Sequence, residues 1–279
     1  MKIITENNNI IISSCSNFDL SQTFECGQCF RFEKIEDGLY SGVANGRLIK
    51  IKQDGDTVTL YDVNEQEFDE KWRSFFDLDR DYGAIIKELS FDSIIKAAIK
   101  AAGGIRILKQ DGWEVLCSFI ISQNNNIPRI KKIIASLCML LGEEISDGVY
   151  TFPSAERVVK AGVEGIAPIR SGFRAKYIID AAQKVFSGEI NLETLAELEY
   201  SLAKKELMKI KGVGEKVADC TLLFGFGFCE AFPRDVWVKR VIEKYYEDGF
   251  TPGYFGKNAG IAQQYLFYYE RSIGKNTKA

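Results

Sequence analysis

The chain reads as an α+β protein, a small antiparallel sheet followed by a larger helical body. Three observations carry that reading. Tyr40–Ala44 and Arg47–Lys52 flank Asn45-Gly46, a pair suited to the left-handed backbone of a two-residue hairpin turn. A second alternating run, Thr57–Asp62, follows Asp54-Gly55. From about Glu67 onward the apolar spacing becomes helical, first in FDEKWRSFF and then in YGAIIKELS.

The helices follow in order. Trp113–Ile121 is an apolar helix that Asn124-Asn125-Asn126 interrupts. Asn126 is placed to cap the next helix, with Pro128 in its first turn, and that helix runs to about Leu141. Ser154 is placed to cap another. Phe173–Phe186 and Ser201–Ile210 come next, then Glu215–Phe226, Val236–Tyr246 and Ala259–Tyr269, before a tail, GKNTKA, expected to fray. Residues 1–110 are expected to hold the sheet and its flanking helices, and residues 111–279 the helical body. The helices before 111 are free to pack with that body.

Composition narrows the chemistry. The chain has 279 residues, 46% of them hydrophobic and 27% charged, a globular balance sufficient for one large or two modest cores. No run of about 18 apolar residues marks a membrane span, and MKIITENNNI lacks an apolar signal segment. The expectation is a cytoplasmic monomer. Seven scattered cysteines point to reduced thiols. Cys26 and Cys29 form a CxxC, but without a second pair or any histidine neither zinc nor an iron–sulfur cluster is expected. The absence of histidine also excludes Ser-His and Cys-His triads, leaving proton transfer to carboxylates, lysine or water. The net charge of −3 does not announce a nucleic-acid binder. Basic groups at Lys204–Lys216, Arg129–Lys132 and Arg170–Lys176 count as one only if the fold gathers them on one surface.

The most informative segment is SLAKKELMKIKGVGEKVADC. A helix ends near Ile210, the glycines Gly212 and Gly214 reverse the chain through positive φ, and a second helix begins at once. Bare backbone N–H groups at that helix start suit a phosphate, although an ordinary turn between helices looks the same. Lys216 falls in the first turn, where the helix is already positive. With partial burial, that position favours the neutral, nucleophilic amine. The competing reading is an exposed lysine paired with Asp219 three residues on. Nineteen residues beyond Lys216, FPRDV places Asp235 as a cap for the next helix. Its backbone donors are expected to keep it ionised, and the single intervening helix and turn can bring it to the lysine's cleft.

IKGVGEKVADC followed by FPRDV resembles the helix-hairpin-helix–Gly/Pro–Asp superfamily of DNA glycosylases. FECGQCFRF, FFDLDRDY, GIRILKQDGWE, SFIISQNNNIPRI, GFRAKY and AGIAQQYLF extend the likeness, in order from about residue 18 to 268, to the 8-oxoguanine DNA glycosylases. The resemblance implies a TATA-binding-protein-like β domain before the helical body. It also implies combined glycosylase and β-lyase activity on damaged double-stranded DNA, with no cofactor or metal. By motif, Lys216 resembles the Schiff-base lysine and Asp235 the catalytic aspartate. Gly27 resembles the glycine whose carbonyl accepts the N7 hydrogen that only the oxidised base carries. Gln263, Phe267 and Cys220 resemble residues that bond or sandwich the flipped base. Asn124 resembles the asparagine that fills the vacated gap, and Arg129 and Arg174 the arginines that hold the orphaned cytosine. Four positions depart from the family's eukaryotic pattern: Lys211 for a hairpin proline, Phe173 for a tyrosine wedge, Trp237 for a histidine beside the phosphate, and Phe224 for a methionine near the base. Another glycosylase of the superfamily and a non-catalytic helix-hairpin-helix module are the alternative readings.

Overall fold

The computed structural model describes residues 1–246 and 248–276. Strands β1 (Lys2–Glu6), β2 (Asn9–Ser13), β3 (Phe32–Glu36), β4 (Leu39–Ala44), β5 (Arg47–Asp54) and β6 (Thr57–Leu60) form one six-stranded sheet, ordered β1-β2-β6-β5-β4-β3. Every pairing in it is antiparallel. The Asn-Gly hairpin is present: Ala44 pairs with Arg47, and Asn45 and Gly46 have φ of 51° and 71°. The β1–β2 hairpin uses the same backbone, with Asn7 and Asn8 at φ 50° and 61°. Asparagine tolerates this region because its side chain bonds locally.

One face of the sheet carries the buried residues Ile10, Ile12, Tyr40, Ile49, Ile51, Val58 and Leu60. It is covered by α1 (Leu20–Glu25), which Asp19 caps through Gln22 N at 2.8 Å, and by a broken helical stretch. That stretch consists of α2 (Glu65–Glu67), a π turn over Phe68–Trp72, and α3 (Arg73–Phe75). It buries Phe68, Trp72, Phe75 and Phe76 in the sheet's core.

The helical body comprises α4 (Tyr82–Leu89), α5 (Ser93–Ala102), α6 (Gly112–Ser122), α7 (Ile127–Leu141), α8 (Ala155–Gly165), α9 (Arg174–Phe186), α10 (Tyr200–Leu207), α11 (Glu215–Thr221), α12 (Val236–Tyr245) and α13 (Ala259–Asn276). A short hairpin, β7 (Glu144–Ser146) with β8 (Val149–Tyr150), interrupts it. Helix α6 is central. Val115 through Ile121 are all buried, and it packs against α7, α9 and α11. A helix apolar all round requires such a place. Helices α4 and α5 bury Ile85, Leu89, Ile95, Ala98 and Ala102 in the helical core, and α5 lies against α13.

The expected capping is found. Asn126 accepts from Arg129 N at 3.0 Å, Pro128 sits in the first turn of α7, and Ser154 caps α8. Several boundaries differ from expectation. The α-helix expected over Glu215–Phe226 ends at Thr221 and opens into a π turn over Leu222–Phe226, which brings four consecutive residues, Leu222 to Gly225, into the core. Helix α10 stops at Leu207, three residues early, because Ile210 closes the hairpin by accepting from Val213 N at 3.0 Å. Helix α13 continues to Asn276, since Tyr268 and Tyr269 pack on the core and carry the helix onward. The end of the tail expected to fray, residues 277–279, lies outside the described residues. All seven cysteines are free and buried. No group of three or more potential metal ligands occurs among the described residues, and no described helix is long and apolar enough to cross a membrane.

Candidate active site

The glycine hairpin delivers Lys216 to a cleft. Gly212 has φ +77°, and a Cβ there would stand 2.3 Å from the Tyr177 ring. Gly214 differs from expectation: with φ −96° it is extended, so only Gly212 needs the left-handed region. Gly214 is the N-cap of α11 and offers no side-chain cap, which leaves first-turn N–H groups without an intramolecular side-chain acceptor.

Lys216 is half-buried in the first turn of α11. Its Nζ donates to Ser122 Oγ at 3.2 Å and stands 4.7 Å from the Phe119 ring centroid. Ser122 donates its own hydrogen to the Phe119 carbonyl at 2.8 Å, so it meets the amine as an acceptor. The alternative partner, Asp219, is taken. It is buried and accepts from Tyr200 OH at 2.6 Å and from Lys204 Nζ at 3.1 Å. The lysine therefore turns inward while Asp219 ties α11 to α10.

Asp235 caps α12, accepting from Trp237 N at 3.0 Å and Val238 N at 2.9 Å through one oxygen, Oδ1. The cap expected from sequence is present and its donors pull the carboxyl down, but they are not the largest influence on it. Burial pushes the carboxyl above its usual range, outweighing the Val238 N–H, Lys216, the Trp237 N–H and Arg271, all of which pull it down. Sequence reading shows the donors but not the depth of burial.

Lys216 and Asp235 both line a cavity of about 820 Å³ whose wall also includes Gly27, Asn124, Arg129, Trp237 and Phe267. They also line a recess of about 50 Å³ bounded by Gly27, Cys220, Phe224, Gln263 and Phe267. In this recess Gln263 is 3% exposed and its Oε1 has no hydrogen-bond partner. A buried acceptor left open is costly unless something arrives to donate to it. Phe224 stacks on Phe119 at 5.5 Å. The Cys220 thiol is pushed up to about 12 by burial against the opposing pull of Lys216, so it stays protonated and a poor nucleophile.

The fold thus gathers most of the residues named from sequence. Gly212 and Gly214 lie outside both cavities but position Lys216. Phe173 is 53% exposed and packs edge-on against Tyr177. Arg174 is buried. Its guanidinium donates to the carbonyls of Gln123, Asn124 and Ser171, bracing the Asn124 loop rather than standing free beside it. Asn124 itself is exposed at φ +48°.

Residues 10–116 match the family model for the N-terminal domain of 8-oxoguanine DNA glycosylase, and residues 117–251 match that of HhH-GPD superfamily base excision DNA repair proteins. The structure of MBOgg1 in complex with a low-affinity DNA ligand is 48% identical, with a TM-score of 0.93, covering 98% of this chain and 99% of that one. The chain belongs to the 8-oxoguanine DNA glycosylase family. A second member, the Clostridium acetobutylicum 8-oxoguanine glycosylase/lyase in complex with double-stranded DNA containing cytosine opposite 8-oxoG, is 38% identical. Its TM-score is 0.91, over 98% of this chain and 99% of that one. The Saccharomyces cerevisiae N-glycosylase/DNA lyase is 38% identical over 159 residues, which is 52% of this chain and 42% of that longer protein.

Within the family, the hairpin lysine has a local explanation. Lys211 keeps a backbone N–H that proline would lack, and Asp180 Oδ2 accepts it at 2.8 Å. Asp180 also pairs with Lys184 at 3.3 Å, so the substitution is tied into α9. Trp237 lies under Arg240, 4.9 Å from its guanidinium carbon. Sequence reasoning missed Ser122 and Phe119, which hold the Lys216 amine. Both sit in SFIISQNNN, two and five residues before Asn124. Their spacing on α6 was available, but their facing α11 was not. It also passed over Gln264, whose Nε2 donates to the Cys26 carbonyl next to Gly27 at 3.0 Å, because a buried glutamine beside a named one carries no separate pattern.

Proposed function

We propose that this protein is a bifunctional DNA glycosylase and lyase that extrudes 8-oxoguanine from duplex DNA, excises it, and nicks the strand. The observation that carries this reading is the meeting of Lys216 and Asp235 in one cleft, with the open acceptor of Gln263 in the adjoining recess. A purine's N–H edge supplies the missing donor. The recess has room for only one or two waters, so the base enters as Phe267, half-buried and shared by both cavities, moves aside.

In the proposed reaction the hairpin and the start of α11 hold backbone phosphates, and Asn124 fills the gap left by the extruded nucleotide. The lone pair of the Lys216 amine forms a bond to C1′, and the N-glycosidic bond breaks with its electron pair leaving on the base. Asp235 faces the positive charge that develops on the sugar, and its raised proton affinity suits it to carry a proton as well. The amine then loses a proton, the C1′–O4′ bond breaks as the ring opens and O4′ takes up a proton, and the nitrogen lone pair completes the imine. Removal of a C2′ proton then expels the 3′ oxygen by β-elimination, and water releases the enzyme from the imine. Gly27 offers its carbonyl to the N7 hydrogen of 8-oxoguanine, where guanine would present a lone pair. Arg129 and Phe173 stand beside the orphaned cytosine. Arg174 acts mainly through the loop it braces, and Trp237 borders a phosphate.

Duplexes with 8-oxoguanine opposite each of the four bases, incubated with borohydride, test the assignment. The wild-type protein should form a covalent adduct, strongest in the duplex it prefers. Lys216→Gln should abolish trapping while DNA binding stays within about threefold. Undiminished trapping by that variant overturns the assignment.

A further inference from the structure

The Gly27 carbonyl discriminates only if it cannot swing away, and a glycine at φ +82° has the freedom to do so. The peptides on both sides of it are held by three glutamines. From α13, buried Gln264 donates Nε2 to the Cys26 carbonyl at 3.0 Å, fixing the peptide that precedes Gly27. On the other side, Gln110 donates Nε2 to the Gln28 carbonyl at 2.9 Å. The Gln28 side chain, 1% exposed, donates to the carbonyls of Thr23 at 2.9 Å and Arg106 at 2.8 Å, and accepts from Leu108 N at 2.9 Å. Among the described residues, no hydrogen bond constrains Gly27 directly. Its neighbours are held on both sides, which restrains the bend between them.

Gln264 also follows Gln263, the residue with the open acceptor, on the same helix. One turn of α13 therefore bears both the group that meets the base and the group that fixes the opposite wall of its recess. We propose that Gln264 is a positioning residue for recognition of the lesion. It holds the Gly27 carbonyl at a set distance from Gln263, with Gln110 as the second arm of the same clamp. This inference rests on the glycosylase reading above.

The test compares two reactions of the same protein. Excision of 8-oxoguanine needs the recess, whereas strand cleavage at a preformed abasic site needs Lys216 but no base. Gln264→Met keeps the length and apolar packing and removes the donor. Its excision rate should fall about tenfold, the equivalent of one lost buried hydrogen bond, while cleavage at the abasic site stays within about twofold. Gln110→Met, at a partly exposed position, should show the same split more weakly and keeps the test available should the Gln264 variant fold poorly. Parallel loss of both reactions, or no change in their ratio for either variant, overturns the proposal. A wild-type protein that cleaves abasic sites but leaves 8-oxoguanine in place would instead overturn the underlying substrate assignment.

Discussion

Asp235 combines two demands that pull its carboxyl in opposite directions. As the cap of α12 it gains N–H donors, and as a wall of the cleft it loses water. Burial prevails, so the folded protein holds its proton more tightly than the unfolded chain does. The sign then follows. For an acid raised above its model value of 3.8, the native state is favoured at low pH, and that contribution is lost as pH rises through the raised value. At neutral pH the charged carboxylate is then a local cost, which the proposed catalytic role accounts for. Asparagine caps helices about as well as aspartate and carries no charge. Asp235→Asn should therefore melt above wild type at pH 7.5, and lose at least about a hundredfold in base excision. A variant that melts well below wild type would mean that the attraction to Lys216 outweighs burial.

At the scale of elements, the two hairpin glycines make different demands although the sequence presents them as a pair. Gly212 combines positive φ with the Tyr177 ring at van der Waals contact, and Gly214 has extended backbone with open space around its Cα. Gly212→Ala should cost about 2–3 kcal/mol of stability from strain and overlap together. Gly214→Ala should leave thermal unfolding nearly unchanged and weaken DNA binding, because a methyl group then stands at the uncapped start of α11. Chemical denaturation and titration with duplex DNA separate the two. A pattern such as KGVG records that a turn is tight, not which residue turns. Equivalent limits recur along the chain. The Asn-Gly hairpin, the Asn126 and Ser154 caps and the apolar α6 were legible because each is a local signal with a local cause. The π turns at Phe68–Trp72 and Leu222–Phe226 were not, since tertiary packing selects the wider turn and no residue type marks it. The proposed catalytic pair was named from motif and spacing, and the fold brings both residues to one cleft. Ser122, Phe119 and Gln264 were not, because what they touch lies on other segments of the chain, α11 for Ser122 and Phe119 and the bend before Gly27 for Gln264.

On the scale of the whole molecule, the cleft draws on segments from both parts of the chain. Gly27 comes from the bend between α1 and β3, Lys216 and Asp235 from the helical body, so activity depends on how the two parts are joined. One joint is electrostatic. Arg31, just before β3, reaches Glu114 of α6 at 3.2 Å and also donates to the Tyr150 carbonyl, with both charged side chains mostly buried. Desolvation raises the Glu114 carboxyl to about 7, Asp111 adding to the shift and Arg31 opposing it. Because the folded value exceeds the unfolded one, the native state gains from protonation. Glu114 contributes most to stability below pH 4.5, and that contribution falls away as pH rises toward about 7, at no more than about 1.4 kcal/mol per unit. Glutamine reproduces the protonated form at every pH. Glu114→Gln should therefore melt close to wild type at pH 5 and a few degrees above it at pH 8, with the difference opening between those values. If the variant instead melts below wild type at pH 8, the Arg31 ion pair is worth more than the burial it requires, and the two cores are held together by charge rather than in spite of it.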